Sequence, residues 1–252
     1  MLNHPTLDKL NTLRFTGMVK ALSEQAELPD IEQLSFEERL GLLVDREMTE
    51  RADRRLQTRL RQAKLKHSAC VEDIDYRHNR NLDKGLMLDL ASCQWIKQHL
   101  NLIILGATGV GKTWLACALA HKACQEGYRA HYLRLPRLLE SLPIAKGDGS
   151  YTKLLLKLSR IDVLILDDWG LSPLNAEQRR DLLEIIEDRN ETRSTIVTSQ
   201  IPIEQWHDMI GDPTIADAIL DRLVHSAYKL NLKGESMRKK KQLLTGPTQA
   251  EA

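Results

Sequence analysis

Over the first 66 residues, apolar positions recur every three to four residues, the period of helices. Leu7, Leu10, Leu13, Met18 and Leu22 set the first stretch, and Pro29-Asp30 marks a turn. Ser35 and Glu38 form a capping box ahead of Leu40, Leu43 and Val44. A long helix is predicted from there toward Lys66. Met48, Ala52, Leu56, Leu60 and Ala63 fall on one side of it. Arg51, Arg54, Arg55 and Gln62 fall on the other, with Arg59 and Arg61 at the borders. Residues 67–100 connect, polar and irregular near 73–81 and helical again from 82 to 99. Beyond residue 100 the pattern changes to short apolar runs separated by helical periods. Residues 102–105, 129–134, 163–166, 195–200 and 226–231 read as strands. Residues 114–124, 136–142, 151–160, 175–190, 203–210 and 214–224 read as helices. Alternating strands and helices predict an α/β fold with a parallel sheet flanked by helices, behind a small all-helical N-terminal domain. The expected division is 1–66, 67–243, and a tail of disordered composition at 244–252.

The formal net charge of the 252 residues is +1, which leaves the partner open, so distribution matters more. Residues 46–66 hold eight Lys/Arg against three Asp/Glu, a local +5. Such a face is either ordinary solvated surface or a contact for nucleic-acid phosphates. Beside the chemistry below, the second reading is favoured, with Arg51, Arg54, Arg55 and Arg59 as candidate DNA contacts. Aromatic content of 4% argues against base stacking on a sheet. Cys70, Cys93, Cys117 and Cys124 show no C-x-x-C spacing. Cys117 and Cys124, seven apart on one helix, read as core, and free thiols fit a reducing cytosol. The first residues lack a basic start and an apolar run, and no stretch approaches the roughly 18 apolar residues of a membrane span. Cytoplasmic location with no membrane partner is the expectation.

The chemistry centres on Gly106-Ala107-Thr108-Gly109-Val110-Gly111-Lys112-Thr113, between a buried strand and a helix opening at Trp114. This is the phosphate-binding G-x-x-x-x-G-K-[ST] loop in its expected context. The glycines let backbone amides approach a phosphate, and the helix dipole adds positive charge. Lys112 is placed on the β- and γ-phosphates of ATP and the Thr113 hydroxyl on Mg2+. Downstream, Asp162-Val-Leu-Ile-Leu-Asp-Asp-Trp169 carries four apolar residues into a pair of acids. This strand is expected beside the loop strand, with its acids at the carboxyl edge of the sheet. Asp167 would hold Mg2+, and Asp168 would orient or deprotonate the attacking water. The polar end of the next strand, Ser199 and Gln200, would reach the γ-phosphate or that water.

These motifs stand in order with Thr198-Ser-Gln-Ile-Pro202, Trp206-His-Asp208, Gly211-Asp-Pro213, Ala216-Asp-Ala-Ile-Leu-Asp-Arg222 and Ser236-Met-Arg238. In that order the chain resembles the IstB-type transposition helper ATPases, relatives of the helicase loader DnaC within the AAA+ P-loop NTPases. The resemblance covers nearly the whole chain. It implies that Arg222 is an arginine finger reaching the γ-phosphate of a neighbouring subunit. It also implies that Arg238 is a second sensor and that Ser199 and Gln200 lie in the first-sensor region. The implied activity is ATP hydrolysis by a homo-oligomer that holds and deforms duplex DNA and recruits a transposase of the IstA type. A DnaC-like loader acting on single-stranded DNA is the alternative. A small-molecule kinase would leave the basic helix and Arg222 unexplained, and an architectural protein that binds ATP without turnover is a further rival. Two departures stand out: Asp168 occupies a position where many AAA+ proteins carry Glu, and few residues follow Arg238, so the helical lid is expected to be absent or reduced.

Overall fold

The computed structural model describes residues 5–78 and 80–237. The chain forms two compact units, 1–59 and 60–252. The tail at 244–252 lies outside the described residues.

The first unit holds α1 (Pro5–Thr12), α2 (Thr16–Glu27) and most of α3 (Phe36–Ala63). The capping box is present: Glu38 N–H donates to Ser35 Oγ at 3.2 Å, and Ser35 N–H donates to Glu38 Oε2 at 2.8 Å. The N-terminus of α2 has no side-chain cap of its own. Buried Glu47 of α3 supplies one, accepting from the amides of Gly17 at 2.6 Å and Met18 at 3.2 Å. Gly17 permits this approach, since a Cβ there would lie 2.6 Å from Glu47 Cα.

Two expectations for α3 are corrected. It stops at Ala63, where Lys64 turns left-handed at φ 51°, rather than continuing to Lys66. The side predicted to be apolar is not a buried stripe: Met48 is 65% exposed and Ala52 is exposed, while only Ala63 is fully buried. The polar Glu47 contact, invisible to a hydrophobic period, sets which face of α3 meets α2.

The second unit begins with the end of α3 and a strap, residues 64–70, whose Ala69 packs on Cys117 and Ala118. Then come α4 (Lys84–Ala91), α5 (Gln94–Lys97), β1 (Asn101–Gly106), α6 (Lys112–Gln125), β2 (Ala130–Arg134), α7 (Leu135–Gly147) and α8 (Tyr151–Ser159). The chain continues through β3 (Val163–Trp169), α9 (Ala176–Glu187), β4 (Ser194–Ser199), α10 (Trp206–Ile210), α11 (Pro213–Val224) and β5 (Ala227–Leu232). All strand pairs are parallel, in the order β2-β3-β4-β1-β5. The acidic strand β3 is therefore not beside the loop strand β1. β4 lies between them, and all six of its residues are buried, as a strand covered on both faces requires. One face packs Ile103, Leu164, Leu166 and Val197 on Leu138, Leu142, Leu182, Ile185 and Trp206. α6 covers the strap with buried Cys117 and Ala118, and buries Ala116, Leu115, Leu119 and Cys124 besides.

Arg189, 1% exposed, ties the amino end of this sheet together. Its guanidinium donates to the carbonyls of Leu158, Ile161 and Ser194 and to Thr195 Oγ1. Burial depresses its pKa, yet the guanidinium stays charged at neutral pH. Arg189→Met strips four buried acceptors of their donor at once. Stability should fall by roughly 4 kcal/mol, read as a lower urea midpoint at unchanged m-value. Arg189→Lys should recover only part of it, because an ammonium lacks the planar fork.

Candidate functional site

The loop between β1 and α6 has its glycines where backbone must come close. Gly106, Gly109 and Gly111 have φ of 147°, 87° and 104°. A Cβ at Gly106 would lie 2.5 Å from the Leu232 carbonyl oxygen. Met237 N–H donates to the Gly109 carbonyl at 2.9 Å, so the segment after β5 lies on the loop. α6 starts at Lys112, turning its first amides and positive dipole end to the loop. Lys112 Nζ donates to the carbonyls of Gly106 at 2.7 Å and Ala107 at 2.9 Å. Thr108 is exposed and donates to Gln200 Oε1 at 2.7 Å, while Val110 is buried. Trp114 packs half-buried on the Ala69, Cys117 and Ala118 cluster. A cleft of about 430 Å3 lined by Tyr76, Arg80, Leu86 and Leu230 adjoins the loop, with Arg80 Nη1 beside Gly111.

Asp167 is fully buried at the end of β3. Its Oδ1 accepts from Thr113 Oγ1 at 2.8 Å and from Thr198 Oγ1, and its Oδ2 from Tyr132 OH at 2.6 Å. Lys66 Nζ stands 3.6 Å from Oδ2. Burial alone would raise the carboxyl pKa, but the donors Thr198, Tyr132 and Thr113 and the Lys66 charge outweigh it and hold it below the usual range. Burial, and then the bond to Asp167, push the Tyr132 phenol upward.

Asp168 points elsewhere because of a β-bulge. Leu166 pairs with Val197, but Trp169 pairs with Ser199, so β3 spends one extra residue there. Asp168 takes φ 65°, and its carboxylate accepts from Arg134 Nε at 2.7 Å. That bond raises the Arg134 pKa.

The donors at Thr113 and Asp167 are hard oxygens. Among the described residues no cluster of three or more His, Cys, Asp or Glu forms a protein cage for a metal. One carboxylate and one hydroxyl suit Mg2+, which takes its other ligands from phosphate and water.

The remaining candidates separate. Gln200 meets the loop through Thr108, whereas Ser199 is buried and bonds backbone, donating to the Trp169 carbonyl at 3.0 Å. Arg222 lies at the other edge of the sheet: its carbonyl accepts from Asn101 Nδ2 at 3.0 Å, and Asn101 opens β1. Six residues of β1, roughly 17 Å, separate that edge from the loop. The Arg222 guanidinium ion-pairs with Glu187 and donates to the Ala218 carbonyl. Arg238 lies outside the described residues. In the N-terminal unit Arg51 pairs with Glu47 at 2.6 Å and Arg54 with Glu50 at 3.8 Å. Arg55 is exposed and makes no ion pair among the described residues, and Arg59 is half-buried.

Sequence reading missed Thr198, Tyr132, Arg134 and Lys66. Thr198 and Arg134 lie at the carboxyl ends of β4 and β2, the strands paired with β3, so knowing that such ends converge was enough to suspect them, whereas Tyr132 reaches Asp167 from the middle of β2. Lys66 carries no such signal, since its place depends on how the strap docks.

Known proteins resemble this chain in sequence and in fold. The insertion sequence ATP-binding protein y4pL of Sinorhizobium fredii is 56% identical over 239 residues, covering 95% of this chain and 98% of its own. The insertion sequence IS21 ATP-binding protein of Pseudomonas aeruginosa is 35% identical over 240 residues, covering 95% and 89%. Among solved structures, the DnaC helicase loader superposes with a TM-score of 0.55 at 23% identity, covering 68% of this chain and 100% of that one. DnaI gives 0.57 at 22%, covering 66% and 92%. At such identity these two speak for the fold alone, that of the AAA+ P-loop proteins. The family model for the IstB-like ATP binding protein matches residues 8–245, and the chain belongs to that family, the ATP-binding proteins of IS21-type insertion sequences.

Proposed function

We propose that this protein hydrolyses ATP as a homo-oligomer on duplex DNA and recruits the transposase of its insertion sequence. The observation that carries the reading is the 2.8 Å bond between Thr113 Oγ1 and Asp167, which brings loop and acidic strand to one point. The triphosphate lies along the loop, with its base in the cleft beside Gly111. Lys112 exchanges the Gly106 and Ala107 carbonyls for phosphate oxygens. Thr113 and Asp167 would hold Mg2+, which when bound would supply positive charge to the phosphates. Asp168 accepts a proton from the attacking water once Arg134 releases it. Arg222, too far from its own loop, serves the nucleotide of a neighbour. The insertion-sequence relatives support a transposase as partner, and the basic face of α3 supports DNA.

The test is assembly. With ATP and duplex DNA, electron microscopy should show ordered nucleoprotein arrays, and without ATP it should not. Monomers that ignore duplex DNA would sink the reading, and tight binding to single strands alone would turn it into a helicase loader. The affinity should fall with salt, and Arg55→Ala should flatten the log–log slope by about 0.9, one phosphate contact. Arg51 and Arg54, already engaged by Glu47 and Glu50, should each change the slope less.

A further inference from the structure

Lys66 is a charged residue that the proposed reaction has not used. Its side chain is 37% exposed, and its Nζ lies 3.6 Å from the Oδ2 of Asp167, whose side chain has no exposure at all. The strap that carries it is fixed on both sides. Ala63 and Ala69 are 0% and 1% exposed. Leu65 and Val71 pack with Trp114 and Tyr132 around Ala69, Cys117 and Ala118. Upstream, the His131 ring meets the Gln62 carbonyl at 2.9 Å, and burial lowers the pKa of that imidazole. Lys66 therefore does not wander onto Asp167. The strap delivers it.

Two hydroxyls and a phenol hydrogen-bond the Asp167 carboxylate, but none of them carries charge. A buried anion needs a cation nearby. Lys66 supplies such a cation, ion-paired with the carboxylate from the Oδ2 side. A divalent ion at Thr113 and Asp167 would do the same work from the Oδ1 side. Two cations a few ångströms apart on one carboxylate disfavour each other.

Resting on the nucleotide reading of this site, we propose that Lys66 is a positioning residue that holds Asp167 in its metal-free state. It thereby sets the Mg2+ concentration at which nucleotide binds. Mg2+ binding weakens the Lys66–Asp167 pair and with it the grip of the strap, residues 64–70. The nucleotide state thus reaches the segment that directly follows α3, the helix bearing Arg51, Arg54 and Arg55.

The experiment titrates Mg2+ against binding of a fluorescent ATP analogue to the full chain, comparing wild type, Lys66→Met and Lys66→Arg. Lys66→Met should bind with a Mg2+ midpoint about tenfold lower, the size of effect one nearby charge has on a carboxylate. Lys66→Arg, which keeps the charge, should stay near wild type, a rescue that a packing role would not give. Hydrogen exchange supplies the second readout. In wild type, amides of residues 64–70 should exchange faster with Mg2+ and the analogue than without, whereas Lys66→Met should show the faster exchange in both states. An unmoved midpoint in Lys66→Met, or strap exchange indifferent to nucleotide in wild type, would overturn the proposal. If wild type binds no analogue at any Mg2+ concentration, the nucleotide reading falls first and takes this proposal with it.

Discussion

Replacing Arg222 with alanine is expected to cut ATP turnover by roughly 10³-fold or more while leaving nucleotide affinity within about twofold. The split follows from geometry. Arg222 lies at the amino edge of the sheet, the full length of β1 from its own loop, so it contributes nothing to binding there. In the single chain its guanidinium is parked on Glu187 and the Ala218 carbonyl. Those contacts hold the side chain at the surface of α11, where a neighbour's triphosphate could draw it off. A surface arginine with a purely structural role would give a different result: a small loss of stability and normal turnover. Mixing separates the readings further. Arg222→Ala chains bind nucleotide but lack the finger, while Lys112→Ala chains keep the finger but lack the nucleotide. If the finger works between subunits, the mixture should hydrolyse ATP although neither variant does so alone. Turnover by Arg222→Ala at the wild-type rate would remove the assignment.

The sequence was most readable where one local rule decides. The capping box at Ser35 and Glu38, the buried Cys117 and Cys124, and the glycine loop between strand and helix all follow from spacing within a few residues. It was least readable where distant segments meet. No period reveals that β4 intervenes between β1 and β3, and that insertion is what puts Thr198 against Asp167. Nor could apolar spacing anticipate Glu47 turning into the cap of α2. The bulge at Asp168 belongs to this second class. The acid pair looks like two equivalent carboxylates in the sequence. One extra residue in the register sends one under the loop and the other to Arg134, so only Asp167 is poised at the Thr113 hydroxyl.

Lys112→Ala tests nucleotide binding and assembly together, because on the proposed function assembly would depend on the nucleotide held by the loop. Lys112 Nζ is the loop's only side-chain ammonium, and it is held between the carbonyls of Gly106 and Ala107. Those carbonyls are weak partners compared with two ionised phosphates, so the exchange on binding favours the ligand. Removing the ammonium should cost about 3 kcal/mol, or roughly a hundredfold in Kd for ATP. The fold should survive, since the loop remains framed by β1 and α6, and an unchanged far-ultraviolet dichroism spectrum would verify it. Assembly on duplex DNA is then expected to disappear at nucleotide concentrations that saturate wild type. The neighbour's Arg222 would have no γ-phosphate to grip, and the Glu187 pair would win. Basic residues of α3 should still give the weak, salt-sensitive binding of a single chain. Loss of arrays with retention of that background places the nucleotide between protomers. Arrays that form undiminished without bound nucleotide would mean that protein and DNA contacts alone hold them, and the triphosphate would then have no part in joining one protomer to the next.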